Sequence, residues 1–280
     1  MEVIQTKAEL QGRIKTLKKS GNKIGFVPTM GALHPGHISL IHCCNRENDI
    51  TVVSIFVNPT QFNERNDFEK YPRNIEQDIT KLKNQQCDII FTPSEDEMYP
   101  TPDKRTFDFG NLDKILEGYH RPGHFNGVAQ IVSKLFDFVK PHTAYFGEKD
   151  FQQLIIIREL VKKEGHDIQV IGCPIIREED GLAMSSRNSR LNNEERKTAA
   201  QISEILFNSK SKQGEMSIEE IKKWVTKTLN KNPHINVEYF EIVNEKNLIP
   251  VQSWSESDSI RGLIAAWVGD IRLIDNIKYD

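Results

Sequence analysis

The feature that most constrains the fold of this 280-residue chain is the alternation of short apolar runs with helical patterns up to about residue 173. Runs rich in Val, Ile and Phe predict strands at residues 24–27, 50–57, 88–91, 144–146 and 168–172. The intervening patterns predict helices at residues 7–19, 37–47, 68–86, 128–139 and 151–163. Runs that are apolar throughout indicate strands buried on both faces, as in a parallel sheet. We therefore predict an α/β fold with a Rossmann-like, doubly wound parallel sheet that binds substrates beyond the carboxyl ends of its strands.

A second, smaller α+β domain is predicted after this sheet. A polar stretch at residues 177–193 leads into two helical patterns and then into three strand candidates. The helices are expected at residues 194–207 and 217–229, and the strands at residues 235–243, 262–268 and 271–277. Gly269-Asp270, between the last two strands, is a hairpin signal. The predicted domains are therefore residues 1–175 and residues 176–280.

Composition and charge exclude several classes of protein. With 38% hydrophobic and 28% charged residues, the chain has the composition of an ordinary globular protein. The net charge of −3 gives no basic field, so we expect no nucleic-acid partner. No apolar run approaches the roughly 20 residues that span a bilayer, and the first residues lack the layout of a signal peptide. We therefore expect a cytoplasmic protein without a membrane partner.

The first predicted strand runs directly into the sequence PTMGALHPGH at residues 28–37, and a helix is expected to begin near Gly36. A glycine-bearing turn before a helix suits polyphosphate, because backbone N–H groups and the helix dipole both favour anions. There is no G-x-G-x-x-G, and His37 and Ile38 stand where a Walker loop needs Lys and Ser or Thr. His34 and His37 could instead donate hydrogen bonds to a reacting phosphoryl group. A lone histidine is more often a surface or capping residue, but this pair favours a nucleotide site.

Two further segments carry polar side chains just after predicted strands, and each also has a structural interpretation. Asn58 and Gln61 present neutral amides, which suit hydroxyls and a carboxylate that must remain nucleophilic. The alternative for this segment is a simple proline-containing turn. Lys149 lies beside a predicted helix start and could bind phosphate, although Asp150 and Gln153 also fit a capping box. Spacing alone does not decide between these two roles.

The sequence Met184-Ser-Ser-Arg187 lies in the polar connection between the predicted domains. Two hydroxyls and an Arg in a flexible loop are suited to clamp a triphosphate as the loop closes from the second domain. A solvated linker is the alternative. His124 could help to order a second substrate, or it could cap the helix that follows it.

These segments together resemble a known family. The sequence HPGH at residues 34–37 resembles the H-x-G-H signature of the nucleotidyltransferase superfamily, and PTMGALHPGH is similar to the pantoate–β-alanine ligase family. Four more segments match that family in order: FVNPTQF at 56–62, RPGHFNG at 121–127, FGEKDFQQL at 146–154 and GLAMSSRN at 181–188. One departure is Phe151, which stands where the family motif commonly has Tyr. A lone H-x-G-H would be a weak signal, whereas five ordered segments are specific.

The resemblance implies an ATP-dependent ligase that joins (R)-pantoate to β-alanine through a pantoyl-adenylate and releases AMP and pyrophosphate. It implies a nucleotide- and pantoate-binding first domain, Mg²⁺ on the polyphosphate without an assigned protein ligand, and a homodimer. The implied catalytic residues are His37, as the proton donor, with His34 and Lys149. The implied ATP-binding residues are Met30, Gly31, Ala32, Leu33, His34, Pro35, Gly36, His37, Gly147, Glu148, Lys149, Asp150, Ile176, Met184, Ser185, Ser186 and Arg187. The implied substrate-binding residues are Gln61, Gln153, Asn58, Tyr71 and His124.

Two other functions remain open from the sequence. The chain could be a nucleotidyltransferase of the same superfamily that attaches AMP or CMP to another small substrate and keeps the nucleotide in its product. The neutral Asn58 and Gln61 amides argue against that function. It could also be a module that binds ATP without turnover. The presence of His34, His37, Lys149 and Arg187 together argues against that function.

Overall fold

The computed structural model describes the whole chain, from Met1 to Asp280. The residues form two compact units. The first contains Met1–Glu148 and Gln153–Pro174, and the second contains Lys149–Gln152 and Ile175–Asp280. The short segment Lys149–Gln152 therefore packs with residues far away in the sequence. None of the helices is long and apolar enough to cross a membrane.

The first unit is built on a six-stranded sheet in which every neighbouring pair is parallel. The strands are β1 (Glu2–Ile4), β2 (Ile24–Thr29), β3 (Ile50–Ile55), β4 (Ile89–Phe91), β5 (Thr143–Gly147) and β6 (Gln169–Cys173). Their order is β1-β4-β3-β2-β5-β6. The chain moves outward from β2 through β3 to β4 and then returns to the other side of β2 with β5. The predicted doubly wound sheet is confirmed, and its order reverses between β2 and β5.

Helices occupy most of the connections between these strands. They are α1 (Lys7–Lys19), α2 (Pro35–Glu47), α3 (Arg65–Glu69), α4 (Ile75–Leu82), α5 (Glu95–Met98), α6 (Glu117–His120), α7 (His124–Val139) and α8 (Phe151–Glu164). The single helix predicted at residues 68–86 is wrong, because α3 and α4 are separate. Pro72 lacks an N–H and disfavours helical geometry in the residue before it. Asn74 then caps α4 by accepting a hydrogen bond from the backbone N–H of Gln77 at 3.0 Å.

The apolar runs form the core of the sheet because successive side chains point to opposite faces. Phe26 and Val27 are adjacent in β2, and both are fully buried. Phe26 packs edge-on against Phe136 of α7, with ring centroids 6.4 Å apart, whereas Val27 lies in a cluster with Ile41 of α2. Each buried side chain of this size stabilises the fold by about 1.5–3 kcal/mol. Helices on both faces thus hold the carboxyl end of β2 in a rigid scaffold.

The second unit has helices against a small antiparallel sheet. It contains α9 (Asn193–Lys210), α10 (Ile218–Leu229), β7 (Ile235–Asn244), β8 (Ile260–Val268) and β9 (Ile271–Tyr279). The sheet has the order β7-β8-β9, and apolar residues of both helices share one core cluster with it. Val268 pairs with Ile271 across a tight hairpin, in which Gly269 adopts a φ of 54°. The predicted α+β architecture and hairpin are confirmed.

Candidate active site

The connections after β2, β3 and β5 carry the first unit's candidate site residues. Because these strands are parallel, their carboxyl ends lie at one edge of the sheet. The structure therefore brings His34, His37, Gln61 and Gly147 to that edge. The strand order reverses between β2 and β5, and doubly wound sheets bind ligands at such a point.

His34 and His37 cap the start of α2 reciprocally. His34 is the N-cap residue, and its Nδ1 accepts a hydrogen bond from the backbone N–H of Gly36 at 3.2 Å. The Nδ1 of His37 accepts one from the backbone N–H of His34 at 3.3 Å. The two ring centroids lie 4.1 Å apart. The pair thus acts as a capping box, in which side chains satisfy backbone donors at a helix start.

This capping fixes the tautomer of both histidines. A neutral imidazole carries one proton, so a ring whose Nδ1 accepts a hydrogen bond carries that proton on Nε2. Both rings therefore present Nε2–H donors beside a helix N-terminus, where the helix dipole also favours an anion. The capping role, which is the structural alternative for a lone histidine, is therefore compatible with hydrogen-bond donation from both rings.

A buried carboxylate holds the loop before α2. Gly31 and Ala32 adopt positive φ angles of 79° and 50°, and the latter is uncommon for a residue with a Cβ. Asp78 of α4 is 1% exposed, and its two oxygens accept the backbone N–H groups of Ala32 and Leu33, each at 2.8 Å. Lys81, one turn later, donates to the Leu33 carbonyl at 2.6 Å. The N–H groups of Ala32 and Leu33 thus bind Asp78, and α4 fixes the loop that places His34.

The Gln61 side chain belongs to a buried amide network. Asn58 is 1% exposed, and its Nδ2 donates to the Gln61 Oε1 at 3.3 Å and to the Gly127 carbonyl at 3.1 Å. The Asn58 Oδ1 accepts from the hydroxyls of Tyr99 at 2.7 Å and Thr60 at 3.2 Å. Protein groups therefore occupy every hydrogen-bonding position of the Asn58 amide, which is one of the predicted substrate-binding groups.

His124 and Tyr71 are buried next to the same segment. The His124 Nδ1 lies 2.7 Å from the backbone carbonyl of Gln61, which only accepts, so Nδ1 is the donor of this bond. The Arg121 Nη1 lies 3.2 Å from His124 Nε2. The N-cap of α7 is Gly123, with no side-chain cap, so His124 does not act as that cap. Tyr71 packs edge-on against Phe62, with ring centroids 5.6 Å apart.

Lys149 and Asp150 lie in a 3-10 helix, Glu148–Asp150, that continues directly into α8. Asp150 is therefore inside a helical segment, which does not match the capping-box alternative. The Lys149 carbonyl accepts a hydrogen bond from Asn276 Nδ2 of β9 at 3.0 Å. Gln153 follows in α8 and is half-buried.

The predicted clamp loop of the second unit is anchored at its base. The Met184 N–H donates to the Ile176 carbonyl at 2.9 Å, so these two predicted nucleotide-binding residues lie side by side. Ser185 caps the 3-10 helix Ser186–Arg190 by accepting from the Arg187 N–H at 3.3 Å. Asn188 donates to Glu178 Oε1 at 2.7 Å. The loop is therefore hydrogen-bonded to its own unit, unlike a solvated linker.

The ion pair between Glu178 and Arg196, next to Asn188, leads to a prediction of how the stability of the protein depends on pH. The Arg196 side chain, 2.7 Å from Glu178 Oε2, holds the pKa of this carboxyl below its usual value of about 4.3. A depressed folded-state pKa gives stabilisation that is present above the unfolded-state pKa and is lost as pH falls through the folded value. Wild type should thus be more stable than Arg196→Met at pH 6, and the difference should shrink towards pH 3. Thermal unfolding at both pH values measures this difference, and a constant difference would contradict the prediction.

Comparison with known proteins finds one family that matches almost the full chain. The profile of the pantoate-beta-alanine ligase family matches residues 2–278. The chain belongs to the pantoate–β-alanine ligase family. Pantothenate synthetase of Bacteroides fragilis (strain YCH46) is 53% identical over 279 residues, which cover 100% of this chain and 99% of that relative. The Porphyromonas gingivalis (strain W83) enzyme of the same name is 52% identical over 280 residues, all of both chains.

Solved structures of the family share the fold. Pantothenate synthetase from Thermus thermophilus superposes with a TM-score of 0.93 at 39% identity, and the match covers 100% of both chains. Pantoate-beta-alanine ligase from Francisella tularensis, in complex with beta-gamma ATP and beta-alanine, has a TM-score of 0.85 at 37% identity. This match covers 99% of the present chain and 97% of the other. Family membership confirms the resemblance that the sequence motifs indicate.

Sequence reasoning missed the residues that hold the candidate ligand-binding side chains in place. Asp78 had a detectable signal, because Ile75, Asp78, Ile79 and Leu82 follow helical spacing and a carboxylate therefore stands beside the apolar positions of α4. Tyr99 had none, since it lies in an irregular stretch after α5.

Proposed function

We propose that this protein condenses (R)-pantoate with β-alanine, using ATP, through a pantoyl-adenylate intermediate, and releases AMP and pyrophosphate. Membership of the pantoate–β-alanine ligase family supports the overall reaction. The observation that carries the adenylate route is the reciprocal capping of His34 and His37. It fixes two neutral N–H donors at a helix N-terminus on the ligand-binding edge of the sheet.

In the first step, a carboxylate oxygen of pantoate attacks the α-phosphorus of ATP. A new P–O bond forms, the bond to the β-phosphate bridging oxygen breaks, and its electron pair leaves with pyrophosphate. Phosphoryl-type transfer depends mostly on positioning and on stabilising charge that develops on the phosphoryl oxygens. The Nε2–H groups of His34 and His37 donate to that charge. The resemblance implies His37 as the proton donor, and in this proposal it keeps its proton and supplies its Nε2–H as a hydrogen bond to the phosphoryl oxygens.

In the second step, the β-alanine amine attacks the acyl carbon of pantoyl-adenylate. The C–N bond forms, the bond from the acyl carbon to the phosphate oxygen breaks, and AMP leaves with that oxygen while the amine loses a proton. No covalent protein nucleophile is required. Closure over the adenylate would exclude water, which competes with the amine.

The polyphosphate requires positive charge that the two histidines do not supply. We assign Lys149, Ser185, Ser186 and Arg187 to this role, because ammonium, hydroxyl and guanidinium groups are the usual partners of phosphate oxygens. Gln61 and Gln153 bind pantoate in this proposal. The anchored base of the 184–187 loop supports a precise placement of its side chains.

Magnesium enters this proposal as part of the substrate, Mg·ATP. The structure has no group of three or more His, Cys, Asp or Glu side chains that could hold a metal ion. The Lys149 ammonium and the Arg187 guanidinium can only donate hydrogen bonds, whereas Mg²⁺ takes oxygen ligands, which the phosphates themselves supply. A cytoplasmic location and a homodimer stay predictions from the sequence and from the resemblance.

Product analysis tests the proposed function. Purified protein with Mg·ATP and (R)-pantoate should release pyrophosphate in a single burst of about one equivalent per site. Adding β-alanine should start continuous formation of AMP and pantothenate in equal amounts. Release of ADP and phosphate would overturn the adenylate route. A product that retains the nucleotide after β-alanine is added would indicate a nucleotidyltransferase, and absence of any turnover would indicate a binding module.

A further inference from the structure

We infer that Tyr99 is a positioning residue for the acid substrate: through Asn58, its hydroxyl fixes the Gln61 amide so that Gln61 offers N–H donors to that substrate. The inference rests on the proposed function, because it takes Gln61 as a pantoate ligand. It concerns a residue outside all five family segments, in the irregular chain between α5 and α6.

Hydrogen bonds at both ends fix the orientation of the Asn58 amide. Its Nδ2 lies 3.1 Å from the backbone carbonyl of Gly127, which can only accept, so the nitrogen must stand on this side. On the other side, the Tyr99 hydroxyl donates to Asn58 Oδ1 at 2.7 Å, the shorter of the two bonds to this oxygen. Burial raises the pKa of Tyr99 above its usual value, so this hydroxyl keeps its proton and remains a donor. Gly127 and Tyr99 therefore hold the amide from both ends.

The oriented Asn58 amide in turn fixes the orientation of the Gln61 side chain. The Asn58 Nδ2 also donates to Gln61 Oε1 at 3.3 Å, so the carbonyl oxygen of the Gln61 side chain is directed towards Asn58. A flipped Gln61 would place two N–H groups against each other and lose this bond. The NH₂ group of Gln61 must then point away from Asn58, towards the loop that carries the two histidines.

The Gln61 NH₂ group has a weakly accepting partner in this structure. Its Nε2 lies 2.8 Å from the thioether sulfur of Met30, one of the residues predicted to bind the nucleotide. A thioether is a weak acceptor, so a substrate oxygen would replace it with a gain in hydrogen bonding. A donor held against a soft acceptor suits a hydroxyl or carboxylate oxygen. The network thus selects for an acceptor atom on the bound acid.

A backbone contact keeps this network compact. Gly127 lies so close to the 3-10 helix Pro59–Gln61 that a Cβ at this position would come within 2.3 Å of the Thr60 carbonyl oxygen. The close approach is what allows the Gly127 carbonyl to reach Asn58. A side chain at Gly127 would therefore move the backbone. Tyr99 can be changed without such a movement, because phenylalanine keeps the ring and removes only the hydroxyl.

The test is steady-state kinetics of Tyr99→Phe. We expect the KM for pantoate to rise about three- to tenfold, as for loss of one neutral hydrogen bond, with the KM for ATP unchanged within twofold. In a double-mutant cycle of pantoate binding, Tyr99→Phe should have no further effect once Gln61 is replaced by alanine, because both changes remove the same interaction.

Tyr145→Phe is the matched control. The Tyr145 hydroxyl is also hydrogen-bonded in the same unit, donating to Glu47 Oε2 at 2.7 Å and accepting from Asn48 Nδ2 at 2.8 Å. Tyr145→Phe should lower the melting temperature without changing the KM for pantoate. Equal effects of both tyrosine variants on this KM, an unchanged KM in Tyr99→Phe, or additive effects with Gln61→Ala would each overturn the inference. Failure of wild type to use pantoate at all would instead reject the proposed function, and the inference with it.

Discussion

Replacement of His37 with alanine is expected to slow pantoyl-adenylate formation by about 10²- to 10³-fold, the usual cost of removing one donor to a developing oxyanion. The variant loses the Nε2–H donor, and it also loses the Nδ1 acceptor that caps the His34 N–H at 3.3 Å. Loss of a cap costs about 0.5–2 kcal/mol of folding stability. Rapid-quench measurement of the first turnover with ATP and pantoate alone isolates the chemical step.

His37→Asn separates the two roles of this histidine. Asparagine has a side-chain oxygen close to the position of Nδ1, so it can still accept the His34 N–H, but it has no group at the position of Nε2. We expect a melting temperature near that of wild type together with the same 10²- to 10³-fold loss of rate. If His37→Asn kept more than a tenth of the wild-type rate, His37 would act mainly as a cap and the assigned role would be incorrect.

The second large effect is expected from Asp78→Ala, although Asp78 is not assigned to the substrates. Its removal leaves the N–H groups of Ala32 and Leu33 without their partner, at about 1–3 kcal/mol for each buried donor that stays unpaired. The positive φ angles of Gly31 and Ala32 then lose the contact that holds them. We expect a lower melting temperature and a KM for ATP that rises at least tenfold, measured at a temperature where the variant is folded.

Asp88→Ala provides the control for Asp78→Ala. Asp88 also accepts a backbone N–H, from Thr51 at 2.8 Å, but Thr51 lies near the amino end of β3, away from the candidate site. Asp88→Ala should lower the stability of the protein without changing the KM for ATP. An unchanged ATP KM in Asp78→Ala would show that the loop keeps its shape without this carboxylate, contrary to the role described above.

The architecture of the sheet follows from local sequence patterns. Strands buried on both faces must be apolar throughout, so the runs that form β2 and β3 stand out from the chain. β1 lacks such a pattern, because only Ile4 of its three residues is buried. The break between α3 and α4 has a local cause at Pro72 that the helical spacing on either side obscures.

The candidate site is predictable only in part, for a different physical reason. Groups that bind phosphate in a strand–helix turn are contiguous in sequence, so His34 and His37 can be identified together. The groups that orient the candidate site residues act across long sequence separations: Asp78 reaches the histidine loop 45 residues before it, and Tyr99 reaches Asn58 across 41 residues. Such pairings depend on the tertiary fold and leave no periodic signal.

The most direct test of the adenylate route follows an oxygen atom. Pantoate labelled with ¹⁸O in both carboxylate oxygens is incubated with the protein, Mg·ATP and β-alanine, and the AMP is analysed by mass spectrometry. If the carboxylate attacks the α-phosphorus and AMP later leaves with the bridging oxygen, each AMP molecule carries one ¹⁸O. AMP without label, or label found in inorganic phosphate alongside ADP, would contradict the proposed mechanism.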